Sequence, residues 1–258
     1  LNGEEIIVLD NYYFDTEYQE KIKNIGSKLV CIDDIHDKHY VADVVINHAP
    51  LDSNLFDIEP YTRLKIGFKY ALIRKEFLKK NPRLPQNKKI CSVFVCFGGS
   101  DYKNITSKII YELSNINIIK QINVVIGSAN IHEEKLKKQI NNSKKKVVLH
   151  KAINQKQLIK IINKSTFAVV PASTILYEVL SQQKPVITGY YVDNQREIAK
   201  NLKIKNTLVL GNLTREEIKN KHINYLLKDK RLIEKEKPID DKVPHRIIKL
   251  FKELEIEY

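Results

Sequence analysis

Short apolar runs and amphipathic stretches alternate along nearly the whole chain, with glycine or polar residues at most junctions. The most telling junction is at 90–104. From 90 to 97 every residue but Ser92 is apolar, which predicts a strand covered on both faces rather than one with a wet side. Gly98 and Gly99 end it, Ser100 and Asp101 offer helix caps, and helical spacing follows over 104–113. Such a junction points free backbone N–H groups into the crevice beyond the strand, where an anion can sit.

The same pattern predicts strands over 6–9, 28–33 and 43–47 in the front of the chain. A helix over 16–25 turns Ile22 and Ile25 inward and stops at Gly26. Between 49 and 85 four prolines leave a loop-rich region around one helix near 75–80, and 82–89 reads as a linker. Beyond it, strands are predicted at 90–97, 122–126, 147–150, 167–170, 185–188 and 207–210. Helices fall near 104–113, 133–140, 154–162, 174–181, 195–202, 214–227 and 243–254. Strands separated by helices of about ten residues imply βαβ units and parallel sheets. The expectation is an α/β protein of two Rossmann-like domains. Residues 1–84 form the latter part of the first, and 85–258, with the C-terminal helix, the second.

Composition narrows this. With 258 residues, 43% of them hydrophobic and 29% charged, the chain is globular. No apolar run approaches the ~20 residues of a membrane span, so it is read as soluble and cytoplasmic, without a membrane partner. The net charge of +13 raises nucleic acid as a partner. The basic residues are spread along helices, however, only 144–146 forms a run of three lysines, and no nucleic-acid module is recognisable. Nucleic acid is therefore set aside. Cys31, Cys91 and Cys96 lack metal-ligand spacing and read as buried reduced thiols; no metal and no cofactor are called for. A chain that begins at Leu1 and contains no methionine is read as a fragment with a truncated first domain.

In open α/β sheets ligands gather beyond the carboxyl ends of strands. Those positions hold Asp10, Asn11 and Tyr12; Asp33 and Asp34; Asn47 and His48; 98–101; Gly127, Ser128 and Asn130; His150; 171–174; and 189–194. In the stretch 170–189, Ser173 or Thr174 caps a helix whose free N–H groups suit a phosphate. Glu178, one turn in, can accept both hydrogens of a ribose cis-diol. Two anion-ready helix starts and a diol acceptor point to a nucleoside diphosphate. No G-x-G-x-x-G fingerprint or Walker lysine points to a dinucleotide or a P-loop.

The run IIVLDNYYFD…LVCIDDIHDKHYVADVVIN, then YALIRKEF, FGGSDYKN, VVIGSAN, PASTILYEVL and VDNQ, in that order, resembles the UDP-2,4-diacetamido-2,4,6-trideoxy-β-L-altropyranose hydrolase family of pseudaminic acid synthesis. Its relatives include the GlcNAc transferase that makes lipid II. The resemblance implies a glycosyltransferase-B architecture, with UDP held by the second domain and the sugar in a cleft between the two. It implies an enzyme that displaces UDP from the anomeric carbon with water; separately, the chain is expected to be a monomer. Gly98, Gly99 and Ser100 match the diphosphate loop, and Ser173, Thr174 and Glu178 the helix at phosphate and ribose. His150 and Ile153 match the uracil loop, and Ser128 joins the substrate-binding set. Tyr12, Asp10 and Asn194 match catalytic positions facing the sugar, with Gln195 beside them. The family's glycine-histidine loop, G-H-x-x-R in type, does not occur in this sequence. The expectation is UDP binding with little or no turnover if the chain is complete. His36 and His39 read as solvated loop residues, and His48, directly after strand-end Asn47, is the best placed of the three to face the cleft without matching the family's histidine. A transferase of the same fold, or a noncatalytic UDP-sugar-binding module, is the alternative.

Overall fold

The computed structural model describes residues 2–79, 91–228 and 238–256. They form two compact units, Leu1–Leu72 with Ile239–Tyr258, and Ile73–Pro238. In chain order come β1 (Ile6–Leu9), α1 (Thr16–Asn24), β2 (Lys28–Ile32), β3 (His39–Tyr40), β4 (Val44–Asn47), β5 (Asp57–Ile58) and β6 (Arg63–Ile66). Then follow α2 (Lys75–Leu78), β7 (Cys91–Cys96), α3 (Ile105–Ser114), β8 (Ile119–Ile126), α4 (Glu133–Asn141) and β9 (Lys146–Lys151). The rest are α5 (Gln155–Lys164), β10 (Phe167–Val169), α6 (Thr174–Ser181), β11 (Val186–Tyr190), α7 (Arg196–Asn201), β12 (Thr207–Asn212), α8 (Asn220–Leu227) and α9 (Val243–Ile256).

In the first unit β1, β2, β4 and β6 make a parallel sheet in that order. Side chains alternate across it. Leu29, Cys31 and Val45 pack with Ile22 of α1, Tyr40 and Phe56 on one face, while Val30, Val44 and Ile46 meet Leu250 and Leu254 of α9 on the other. Ile247, Leu250, Phe251 and Leu254 recur at helical spacing and form the stripe that covers this face. That stripe groups α9 with the first unit, whereas the sequence reading counted it with the second. The expected boundary at 84 and the linker at 82–89 lie outside the described residues.

Four local expectations are corrected here. Ile25 is 46% exposed, because α1 ends at Asn24; the inward place is taken by Gln19, whose side-chain oxygen accepts the Val41 N–H at 3.2 Å. β6 lies in the region expected to be loop, since Arg63 and Lys65 interrupt the apolar signal of Leu64 and Ile66. His39 is not a loop residue. It sits in β3, its ring nitrogens 2.9 Å from Asp57 and 3.1 Å from Glu59, while His36 is half-buried against Phe56. The helix expected over 214–227 begins only at Asn220, because Asn212 takes the N–H groups of Thr214, Arg215 and Glu216 in a turn.

The second unit is a six-stranded parallel sheet in the order β12-β11-β10-β7-β8-β9. Val93, Val95, Ile122, Val124, Phe167, Val169 and Ile187 share its core with Ile109 and Leu113 of α3 and Ile223 and Leu226 of α8. Ser92, the one polar residue of β7, donates to the Lys164 carbonyl at 3.3 Å. Cys31 and Cys96 are buried free thiols, pushed by burial up to about 12 and about 11; Cys91 is half-buried.

Candidate functional site

From β7 the chain winds outward through β8 and β9, then returns to place β10 on the other side of β7. The switch in winding direction therefore falls between β7 and β10, where a crevice opens beyond the strand ends. The loops after β10, β7, β8 and β9 stand side by side along this edge. At the usual strand spacing they span roughly 14 Å.

The loop after β7 is exposed at Gly98, Gly99 and Ser100. Gly98 turns with φ at +80° and donates its N–H to the Cys96 thiol. The N–H groups of Gly99 and Ser100 make no hydrogen bond among the described residues. Asp101 comes next, 1% exposed, and its two carboxylate oxygens accept the N–H groups of Ile105 and Thr106, each at 2.9 Å. Burial pushes its carboxyl above the usual range, against those hydrogen bonds. So the N-cap position of α3 is the left-handed Asn104, whose side chain makes no cap bond, and it is Asp101 rather than Ser100 whose carboxylate reaches forward to occupy that helix start. The loop's open donors lie one step earlier. Gly127, at the end of β8, touches the same loop: a Cβ there would stand 2.6 Å from the Gly99 Cα.

The start of α6 is open. Ser173 is extended and its hydroxyl makes no capping bond, Thr174 is exposed, and the N–H groups of Thr174 and Ile175 are unpaired among the described residues. Glu178, one turn in, is 2% exposed. Its oxygens accept two hydrogen bonds from Arg74, at 2.6 Å from Nε and 2.7 Å from Nη2. The Arg74 guanidinium also lies 5.1 Å from the Phe77 ring centre. Arg74 stands inside the YALIRKEF stretch, ahead of the glycine loop, and nothing local in the sequence pairs it with Glu178.

Ser128 is exposed beyond β8, beside the buried Asn130, whose side-chain oxygen accepts the His132 N–H at 2.9 Å. His150 lies within β9, half-buried, with its pKa lowered by burial. Ile153 follows Ala152, which is left-handed at φ 47°, and precedes the Asn154–Gln157 capping box of α5. Asn194 is half-buried in the turn before α7. Gln195 is buried and accepts the Tyr191 N–H at 3.1 Å; the Tyr191 hydroxyl donates to the Phe97 carbonyl at 3.2 Å, so Gln195 braces a ring over the end of β7.

In the first unit, Asp10 is exposed and Tyr12 is 52% exposed. The Tyr12 hydroxyl bonds to Asp34, a carboxyl that burial pushes up and that neighbouring Asp33 and Asp10 push further. His48 is pushed down to about 4 by burial, with Asp10 opposing, and is neutral at pH 7.

No family model matches the chain. It is 28% identical over 201 residues to the UDP-2,4-diacetamido-2,4,6-trideoxy-β-L-altropyranose hydrolase of Campylobacter jejuni, covering 76% of this chain and 69% of that protein. It is 26% identical to the uncharacterized protein MJ1062 of Methanocaldococcus jannaschii, over 75% of this chain and 42% of that one. To the spore coat polysaccharide biosynthesis protein SpsG of Bacillus subtilis it is 24% identical, over 76% and 58%. The match thus spans from about two-fifths to about two-thirds of these relatives. Among solved structures, MurG of Acinetobacter baumannii superposes with a TM-score of 0.63 at 13% identity, covering 95% of this chain and 74% of that one. TarM of S. aureus gives 0.57 at 13%, covering 97% and 55%. The fold is that of the glycosyltransferase-B enzymes, two Rossmann-like units with parallel sheets.

Proposed function

We propose, for a chain that resembles the UDP-2,4-diacetamido-2,4,6-trideoxy-β-L-altropyranose hydrolase over three-quarters of its length, that the second unit binds the UDP moiety of a UDP-sugar and the protein hydrolyses it. The observation that carries this reading is the set of open donors flanking the β7–β10 switch point: the N–H groups of Gly99 and Ser100 on one side, and of Thr174 and Ile175 on the other. Backbone donors at a helix start suit a diphosphate. They gain strength as the glycosidic C–O bond breaks and charge moves onto the leaving phosphate. Water supplies the oxygen that bonds to the anomeric carbon, UDP departs with the electron pair of the broken bond, and the water's proton passes to a base. Glu178, 2% exposed and held by Arg74, takes the ribose-side role that the resemblance implies. His150, Ile153 and Ser128 line the uracil end of the edge. Tyr12, Asp10 and Asn194 take the sugar-side roles that the resemblance implies.

The test is calorimetric titration of UDP, with ADP as comparison, followed by incubation with the UDP-diacetamido-trideoxy sugar. Binding of UDP in preference to ADP, with release of UDP and free sugar in water alone, is the expected result. Release only when a sugar or lipid acceptor is added would make the protein a transferase, and binding without release a UDP-sugar-binding module. No binding of UDP would overturn the nucleotide reading altogether.

A further inference from the structure

Three neighbouring strands of the first unit begin on charge. Lys28 opens β2, Asp43 stands directly before β4, and Arg63 opens β6. With Lys23 from the last turn of α1, and Tyr61, they line a cavity of about 420 Å³, a size that suits a small molecule. The cavity lies at the amino ends of the strands. Asp10, Tyr12 and His48 follow the carboxyl ends of β1 and β4, a strand length of roughly 13–17 Å away. It is therefore separate from the sugar-side residues, and the nucleotide donors belong to the second unit.

Three cations share this wall with one carboxylate. Asp43 is already engaged: one oxygen accepts the Leu29 N–H at 2.7 Å and the Lys23 ammonium at 2.6 Å, and the Lys28 ammonium stands 3.7 Å from the other. The nearby acids do not cancel the excess. Glu253 of α9 meets Arg63 at 3.4 Å but is shared with Lys249 at 3.7 Å, and Glu59 is turned to the His39 ring. The side chains of Lys23, Lys28 and Arg63 are only 24%, 19% and 28% exposed. Their charges are partly withdrawn from water, where an anion is held more strongly and screened less than on an open surface.

We propose that this cavity is a second anion site, one that takes a phosphate group. Arg63 offers a planar fork that pairs with phosphate oxygens, and the two lysines add point charges. Tyr61 supplies an apolar wall: its hydroxyl donates to the Val41 carbonyl at 3.0 Å, and its ring, 5.8 Å from the Lys23 ammonium, belongs to a residue 54% exposed. A lone phosphate leaves most of the cavity open, so an ester can seat its organic part against that ring. The site stands whether or not the second unit binds UDP.

The experiment follows the backbone amides of the whole chain by heteronuclear NMR as inorganic phosphate or phenyl phosphate is added at constant ionic strength. Shifts at Lys28, Leu29, Asp43 and Arg63 are expected. Lys28→Gln and Arg63→Gln should each weaken phosphate by about tenfold or more. Tighter binding of the ester, lost in Tyr61→Ala, would support the site with a phosphorylated small molecule as its source; equal affinities would support it with free phosphate. Shifts confined to Gly99, Ser100 and Thr174 would place the phosphate on the nucleotide's donors and overturn the second site. So would shifts that chloride reproduces, or folded variants that bind phosphate as the wild type does. Where a variant does not fold, the wild-type map decides alone: no response at the four pocket amides refutes the proposal.

Discussion

Gly127→Ala places a methyl group where the chain has no room for one. Its Cβ would stand 2.6 Å from the Gly99 Cα and 2.7 Å from the Gly99 oxygen, where ordinary contact begins at 3.4 Å. Both obstacles are backbone, so no side chain can swing away. The loop after β7 and the loop after β8 must separate by roughly 0.8 Å, and forced overpacking of this kind costs about 1–3 kcal/mol. The functional consequence is larger than the stability cost, because the displaced loop carries the Gly99 and Ser100 N–H groups. A bond of about 2.9 Å stretched by that amount is no longer a hydrogen bond, and each one to a charged group is worth about 1.5–3 kcal/mol. UDP affinity should fall at least about tenfold. Urea unfolding and calorimetry on Gly127→Ala read the two effects. Ile223→Ala serves as control: it empties a fully buried position on α8, should cost about 2–5 kcal/mol, and should leave UDP affinity unchanged. A Gly127→Ala protein that unfolds with the wild type and binds UDP equally well would refute the close approach of the two loops.

Leu254→Ala should destabilise the first unit by about 2–5 kcal/mol, since that side chain is fully buried by α9 against the β2–β4 face; hydrogen exchange should rise in β2 and β4 and not in β7 or β10. Asp101→Ala removes the carboxylate that takes two N–H groups of α3 and should cost about 1 kcal/mol in chemical unfolding. His48 has a folded pKa of about 4, below its unfolded ~6.5, so the unfolded chain binds more protons between those values. Stability is present above pH 6.5 and falls by up to about 3 kcal/mol as pH drops toward 4; His48→Asn should flatten that acid limb. His39 behaves oppositely: hydrogen bonds to Asp57, then Glu59, raise its folded pKa. Its contribution is present below pH ~6.5 and lost as pH rises through the folded value, a surface effect of about 0.2–1 kcal/mol. An NMR titration in which the His39 ring titrates at or below the ordinary value would refute it.

Much of this molecule is legible in one dimension because its strands are buried on both faces. A run such as 90–97 carries its own evidence of being a central strand, and Gly98–Gly99 followed by a capping residue marks where the crevice must lie; β7 and α3 appear there, shifted by a residue. The alternation of strands and helices made parallel sheets legible for the same reason. The half-exposed pieces were not. β6 mixes Arg63 and Lys65 with Leu64 and Ile66 and reads as loop, and the inward place on α1 went to the polar Gln19 because a hydrogen bond to Val41, remote in sequence, satisfies it. The identity of the group at the α3 start also needed three dimensions. Ser100 and Asp101 are equally good caps by type, and only the backbone, left-handed at Asp101, decides which side chain reaches Ile105 and Thr106. The partner of Glu178 is the clearest case. Glu178 could be named from its place one turn into α6, but that its carboxylate is gripped by Arg74, 104 residues earlier, follows from how α2 packs near α5 and α6. Local pattern records which surfaces each segment must bury; which polar groups then meet across the fold is set by packing between segments far apart in the chain, and no local pattern encodes that.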